Sequence, residues 1–407
     1  MSPMRPPLDP SLFDLDADRL WIMHCSEGPV PKAALEAVQA FLPKESKPWK
    51  LRWAEDFLAV PESTKREAAK LVGVSAEDIS LTATTSSGLQ IITQGFPWKA
   101  GDEVLAPLGE FPSNVWPWKA LAPRGVSFRE VPLWEGHQSG LDAWNSSPPP
   151  PGADAETRLL DAITDRTRIL ALSWVRFQDG LKLDLPWLGS ACQERGVHLV
   201  VDGIQGVGTH KPDLTGVSAF ATGGHKGLLA PQGLGFLWTD AKFRALLAPA
   251  GTWLSVEDGT NFARPSTDFN RDWLADGRRL EPGSPSLMGC VALNASLACL
   301  NGAGEGAIEA HVRGLQESLL TALSKDSTWG DEAARLQGLW EEDRLGPVLS
   351  FHHQGRGQEF LNGLLQKGFN QGIYASVREG YLRVAFHGMH TQADVARVAG
   401  WLGAVTV

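Results

Sequence analysis

Four short apolar runs constrain this chain more than anything else in it. They are VLAPL at 104–108, ILALSWV at 169–175, VHLVVD at 197–202 and GFLWT at 235–239, bounded by Gly, Asp or Pro. Runs that are apolar on both faces and rich in Val, Ile and Leu predict fully buried strands. Helical patterns lie between and beyond them, over Ser86 to Gln94, Leu185 to Arg195 and Ile308 to Leu323. A strand–helix–strand rhythm predicts an α/β fold, with a mostly parallel sheet between helices. The segment NSSPPPPGADAE at 145–156 continues neither pattern, because proline lacks an amide donor and clashes with a preceding helical turn. It reads as a surface insertion, since the rhythm resumes after it. A long apolar helix from Ser286 through Leu300 is expected to lead into a smaller C-terminal α+β domain. The chain is therefore divided into an N-terminal arm (1–20), a large domain (21–285) and a small domain (286–407).

Composition narrows the partners. A net charge of −10 argues against nucleic acid, whose phosphates need a basic surface. Cys25, Cys192, Cys290 and Cys299 are widely spaced and form no CxxC pair, so neither a zinc site nor a disulfide framework is expected. That usage fits a reducing cytoplasm. No apolar run approaches the length of a membrane span, and the first sixteen residues hold no apolar signal core.

Two segments carry chemistry. VHLVVDGIQG ends a buried strand on Asp202, where open α/β sheets gather ligands. By itself an Asp-Gly pair is more often only a turn. ATGGHKGLLAPQG places Lys226 in a glycine-flanked, apolar stretch. A lysine there is either a snorkelling surface residue or an amine with a lowered pKa. Gly223 and Gly224 let the backbone approach a ligand closely. Upstream, SLTATTSSGLQIITQG at 80–95 sets Thr84, Thr85 and Ser86 before a helical pattern. That reads as a helix cap, or as a phosphate cup of hydroxyls and free amides.

Taken together, Asp202-Gly203-Ile204-Gln205 and Gly223-Gly224-His225-Lys226, some twenty residues apart, resemble the class V aminotransferase branch of the fold-type I pyridoxal 5′-phosphate (PLP) enzymes. That branch includes cysteine desulfurases, selenocysteine lyases and kynureninases. The resemblance implies a large PLP-binding domain and a small C-terminal domain. It implies that Lys226 holds PLP as a Schiff base and shuttles the α-proton of an amino acid. Asp202 is then paired with the ring nitrogen, Gln205 with the ring 3′-oxygen, and His225 with the phosphate. Thr84, Thr85 and Ser86 open the phosphate cup, and Phe111 of GEFPSN stacks on the ring. Relatives carry Ser or Thr at the position of Gly223, so Thr222 is assigned as its substitute. In LEPGSPSLMG, the resemblance gives Ser284 the phosphate of a neighbouring subunit, which implies a homodimer. Arg383 of YLRVAFH takes the position of the substrate-carboxylate arginine, with Arg378 a weaker candidate. Arg176, Phe177 and Gln178 depart from the desulfurase pattern, and no role is assigned to Arg176, Gln178 or Cys25.

Fold alone does not choose the reaction. Residues 300–407 contain no cysteine, whereas desulfurases carry their nucleophilic thiol in that region. The expectation is an aminotransferase acting on an α-amino acid. The alternative is a lyase of a Cβ–S or Cβ–Cγ bond, and a third reading is a non-catalytic PLP-fold scaffold. No metal is expected, and the absence of a GxGxxG motif after an early strand sets aside a nicotinamide dehydrogenase.

Overall fold

The four apolar runs form the middle of one sheet. The computed structural model describes residues 5–403; the ends of the predicted arm and small domain, 1–4 and 404–407, lie outside them. In chain order the strands are β1 (Leu20–Trp21), β2 (Ile79–Thr82), β3 (Glu103–Pro107), β4 (Ser127–Val131), β5 (Thr167–Ser173) and β6 (His198–Asp202). They continue with β7 (Ala219–Gly223), β8 (Gly235–Thr239), β9 (Val348–His352), β10 (Ile373–Tyr374), β11 (Ser376–Arg378) and β12 (Tyr381–Ala385). The large sheet has the order β2-β8-β7-β6-β5-β3-β4. It is parallel from β7 to β4, and β8 runs antiparallel to both its neighbours.

Burial follows from that order. Every residue of β3, β7 and β8 is buried, as are all but the first of β6 and all but one of β5. Leu170, Leu172, Leu199 and Val201 pack into one core, and Ile169, Ala171 and Val200 into the core on the opposite face. Each such side chain contributes about 1.5–3 kcal/mol over an exposed one. Helices Thr85–Gly95, Leu185–Glu194, Leu287–Gly302 and Ala307–Leu323 appear where the patterns put them, within two residues.

The C-terminal part is a three-stranded sheet, β11-β12-β9, with helices Gly330–Glu341, Gly357–Asn370 and Gln392–Gly403. The start of the chain joins it. Leu20 and Trp21 pair with Ile373 and Tyr374, and Met23 bridges Ala385.

The proline segment is no free surface insertion. Ser146 and Pro149 are buried, and Pro149 O accepts from Arg335 Nη1 at 2.9 Å. Gly152 N donates to Glu342 Oε2 at 2.9 Å. The prolines are irregular, as expected, but the run straps β4 and β5 to the C-terminal helices. Four prolines without amide donors leave their carbonyls free for such partners.

Candidate active site

β5 ends at Ser173, β6 at Asp202 and β7 at Gly223, so three neighbouring strands open one crevice at their carboxyl ends. Lys226 lies in the turn after β7 and is 9% exposed. That turn is held from two sides. Gly28 N donates to His225 O at 2.7 Å, and His387 Nε2 lies 2.9 Å from Gly227 O. Position 28 has no room for a side chain, because a Cβ would strike the Lys226 carbonyl. Burial pushes His387 down to about 4, so its imidazole is neutral and serves the turn as a hydrogen-bond group rather than a charge.

A cavity of about 380 Å³ opens in front of Lys226. Of the residues assigned from sequence, Thr84, Thr85, Ser86, Phe111, Asp202, Gln205, His225, Lys226, Arg378 and Arg383 line it. Lys226 Nζ sits 5.4 Å from the centroid of the Phe111 ring, and Phe177 packs edge-on to that ring at 5.1 Å. Asp202 is 3% exposed and accepts from Ile204 N at 3.0 Å. The common Asp-Gly turn is thus present, and it aims the second carboxylate oxygen onward. Gln205 Nε2 donates to Cys25 O at 3.0 Å, which leaves its Oε1 buried without a partner.

At the other end, helix Thr85–Gly95 begins with a capping box. Thr84 Oγ1 accepts from Ser87 N at 3.0 Å, and Thr84 N donates to Ser87 Oγ at 2.9 Å. Ser86 Oγ donates to Ser113 Oγ at 2.8 Å. Thr85 Oγ1 is buried with no partner. A helix N-terminus with amides and hydroxyls turned to a cavity suits an anion.

Electrostatics set the two central groups toward each other. Burial raises the Asp202 carboxyl to about 6, against the pull of the Ile204 amide and the Lys226 charge. Burial lowers the Lys226 amine, against the pull of Asp202. An amine with a lowered pKa is more often unprotonated, which a nucleophile requires.

Two assignments do not reach this cavity. Thr222 is fully buried inside β7, and its hydroxyl donates to the Gly223 carbonyl at 3.1 Å. It therefore does not stand in for the missing hydroxyl at Gly223. Ser284 is exposed in the segment before helix Leu287–Gly302 and lies outside the cavity of its own chain. Its neighbour Glu281 is structural: it takes Lys65 Nζ at 2.8 Å and Leu81 N at 3.1 Å.

Sequence reasoning missed Ser26, Glu27 and Ser113, and gave Cys25 no role, yet all four line the cavity. Ser113 had a signal, lying two residues after Phe111. The other three are brought in only by the pairing of the chain's two ends.

The family model for class V aminotransferases matches residues 29–398. The chain belongs to the class V aminotransferase family. This is a family of PLP-dependent enzymes. This class V chain is 28% identical over 270 residues to a probable cysteine desulfurase of Methanothermobacter thermautotrophicus, covering 65% of this chain and 61% of that relative. It is 26% identical to an uncharacterized aminotransferase of Schizosaccharomyces pombe, over 83% of this chain and 80% of the other. Among solved structures it is similar to the cystine C–S lyase C-DES in complex with its product cysteine persulfide. The TM-score is 0.78 at 20% identity, covering 95% and 98% of the two chains. At that identity the likeness speaks for the fold.

The residues present fit PLP. An amine, a carboxylate at a strand end, an aromatic face and a helix N-terminus surround one cavity, and two buried polar atoms there, Gln205 Oε1 and Thr85 Oγ1, lack partners.

Proposed function

We propose that this class V enzyme acts on an α-amino acid through Lys226, and that it cleaves a Cβ–S bond rather than transferring the amino group. The observation that carries the first part is the Lys226 amine over Phe111, in one cavity with buried Asp202. When bound, PLP supplies an aldehyde for an amine and a ring that withdraws electrons from the substrate Cα. Lys226 is the amine that would hold that aldehyde, and its Nζ would move the substrate's Cα proton. Asp202 would keep the ring nitrogen protonated by opposite charge. Phe111 would stack on the ring, and Gln205 would meet the ring oxygen. Thr85, Ser86 and His225 would hold the phosphate, while Thr84 caps the helix that carries the first two. Arg383 clamps the α-carboxylate with its planar fork.

Two things support the lyase reading, which the sequence alone ranked second. The desulfurase and C–S lyase relatives act at carbon–sulfur bonds by their names. The β11–β12 turn is only Glu379–Gly380, with no cysteine-bearing loop before Arg383. Sulfur would then leave in solution rather than pass to a small-domain thiol. Transamination remains the second reading, favoured by the family model and by the yeast relative. Incubation of the holoenzyme with cysteine, cystine and common amino donors separates the two. Elimination releases pyruvate and a sulfur species and leaves the cofactor in its aldehyde form. Stoichiometric conversion to the amine form, with no pyruvate from sulfur substrates, would overturn the lyase reading.

We also propose a homodimer in a reducing, cytoplasmic setting. The support is an aromatic cluster with exposed Phe57, Trp253 and Phe262, in which half-buried Trp53 lies 4.7 Å from Phe262, 5.3 Å from Phe57 and 6.0 Å from Trp253. It stands beside a cavity of about 540 Å³ that reaches Pro285, next to Ser284. Exposed apolar patches of this kind mark contact faces. A partner seated there would bring Ser284 to a neighbouring phosphate cup. Sedimentation velocity is expected to give twice the chain mass, and Trp53→Glu to shift it toward one. A monomer at micromolar concentration would refute the dimer.

A further inference from the structure

Arg378 and Arg383 stand on one hairpin. Ser376 is opposite Arg383 and Arg378 is opposite Tyr381. Opposed residues share a face, and so do residues two apart. Arg378 and Arg383 are therefore diagonal neighbours, about 7 Å apart at their backbones, and both line the cavity.

Neither makes an ion pair with a described residue. Arg383 is 2% exposed, and its donors go to neutral oxygens: Ser376 Oγ at 3.1 Å, Phe177 O at 2.9 Å and Ser26 Oγ at 3.2 Å. Arg378 makes no hydrogen bond or ion pair with any described residue. The nearby carboxylates keep their charge but hydrogen-bond neutral amides rather than either guanidinium. Glu379 Oε2 accepts from Gln178 at 3.1 Å, and Glu27 Oε1 accepts from Gln232 at 2.6 Å. The two guanidiniums repel, and the buried charge of Arg383 without an ion-pair partner is costly, while Arg378 at the exposed end of β11 stands at the cavity's rim with its charge free for a ligand. One carboxylate meets one fork bidentately. An α-carboxylate on Arg383 leaves Arg378 still unmatched.

We infer that Arg378 receives a second acid group, at the far end of the substrate side chain, so that the site selects amino acids with two anionic ends. This rests on reading the cavity as an amino-acid site. For a carbon–sulfur lyase the class is a cysteine S-conjugate ending in a carboxylate. For a transaminase it is a dicarboxylic amino acid.

Glutarate and its half-amide, glutaramate, differ only in that second acid. Calorimetry on the holoenzyme is expected to show glutarate binding about tenfold or more tightly. Arg378→Gln should erase the preference and leave glutaramate binding unchanged, while Arg378→Lys should restore part of it. Equal binding of both ligands, or a preference that survives Arg378→Gln, overturns the inference. Binding needs no turnover, so that result is separate from the fate of the Lys226 reading, which is judged by the cofactor's absorbance.

Discussion

Lys226→Ala is expected to remove the visible absorbance band of the bound cofactor and all measurable turnover together. Proton transfer by a placed side chain is worth about 10²–10⁴-fold in rate, and the covalent attachment is lost with it. The fold should not suffer. Lys226 Nζ makes no hydrogen bond to any described residue, and burial already disfavours its charge. The apo variant should therefore melt at or above the wild-type apo temperature. That combination separates a chemical role from a structural one. A variant that keeps the band and the turnover would remove the basis of the proposed function.

Asp202→Asn should be nearly as damaging, for a different reason. Asparagine keeps the oxygen that accepts the Ile204 amide, so the turn after β6 survives. What it loses is the negative charge of a carboxyl whose pKa burial raises to about 6, the charge that would face the cofactor's ring nitrogen. Removing one preorganised electrostatic partner costs about 10²–10³-fold in kcat. Cofactor binding should weaken less than turnover, since the phosphate cup is untouched. An asparagine variant with wild-type kcat would show that no charge on the ring depends on this carboxylate. Asp202→Ala is the poorer test, because it loses both the turn and the charge.

What could be read from the sequence was whatever had a local cause. Strands β3, β5, β6 and β8 are continuous apolar runs, buried along nearly their whole length. Lys226 stood out because a lysine among glycines and aliphatics has few reasons to be there. Strands β2 and β7 were obscured because their residues, ISLT and AFATG, were read for their hydroxyls and glycines instead. Thr222 failed for a related reason. Which way a strand side chain turns depends on its neighbours, and its hydroxyl found the next carbonyl. Ser26 and Glu27 carried no local mark at all. Their place in the cavity comes from β1 lying against β10, a contact between opposite ends of the sequence. The proline run was rightly denied a helix or strand, but composition does not say which carbonyls will find an arginine.

The pairing of β1 with β10, and the hold of His387 on the Gly227 carbonyl, also bear on domain docking. The lysine-bearing turn is clasped by Gly28, which precedes the large sheet, and by His387, which follows β12 in the small domain. A fold that holds the large sheet alone, through β8, lacks the His387 half of that clasp. Order in the lysine turn therefore depends on docking of the small domain, and a variant cut before β10 should keep the sheet yet hold Lys226 loosely.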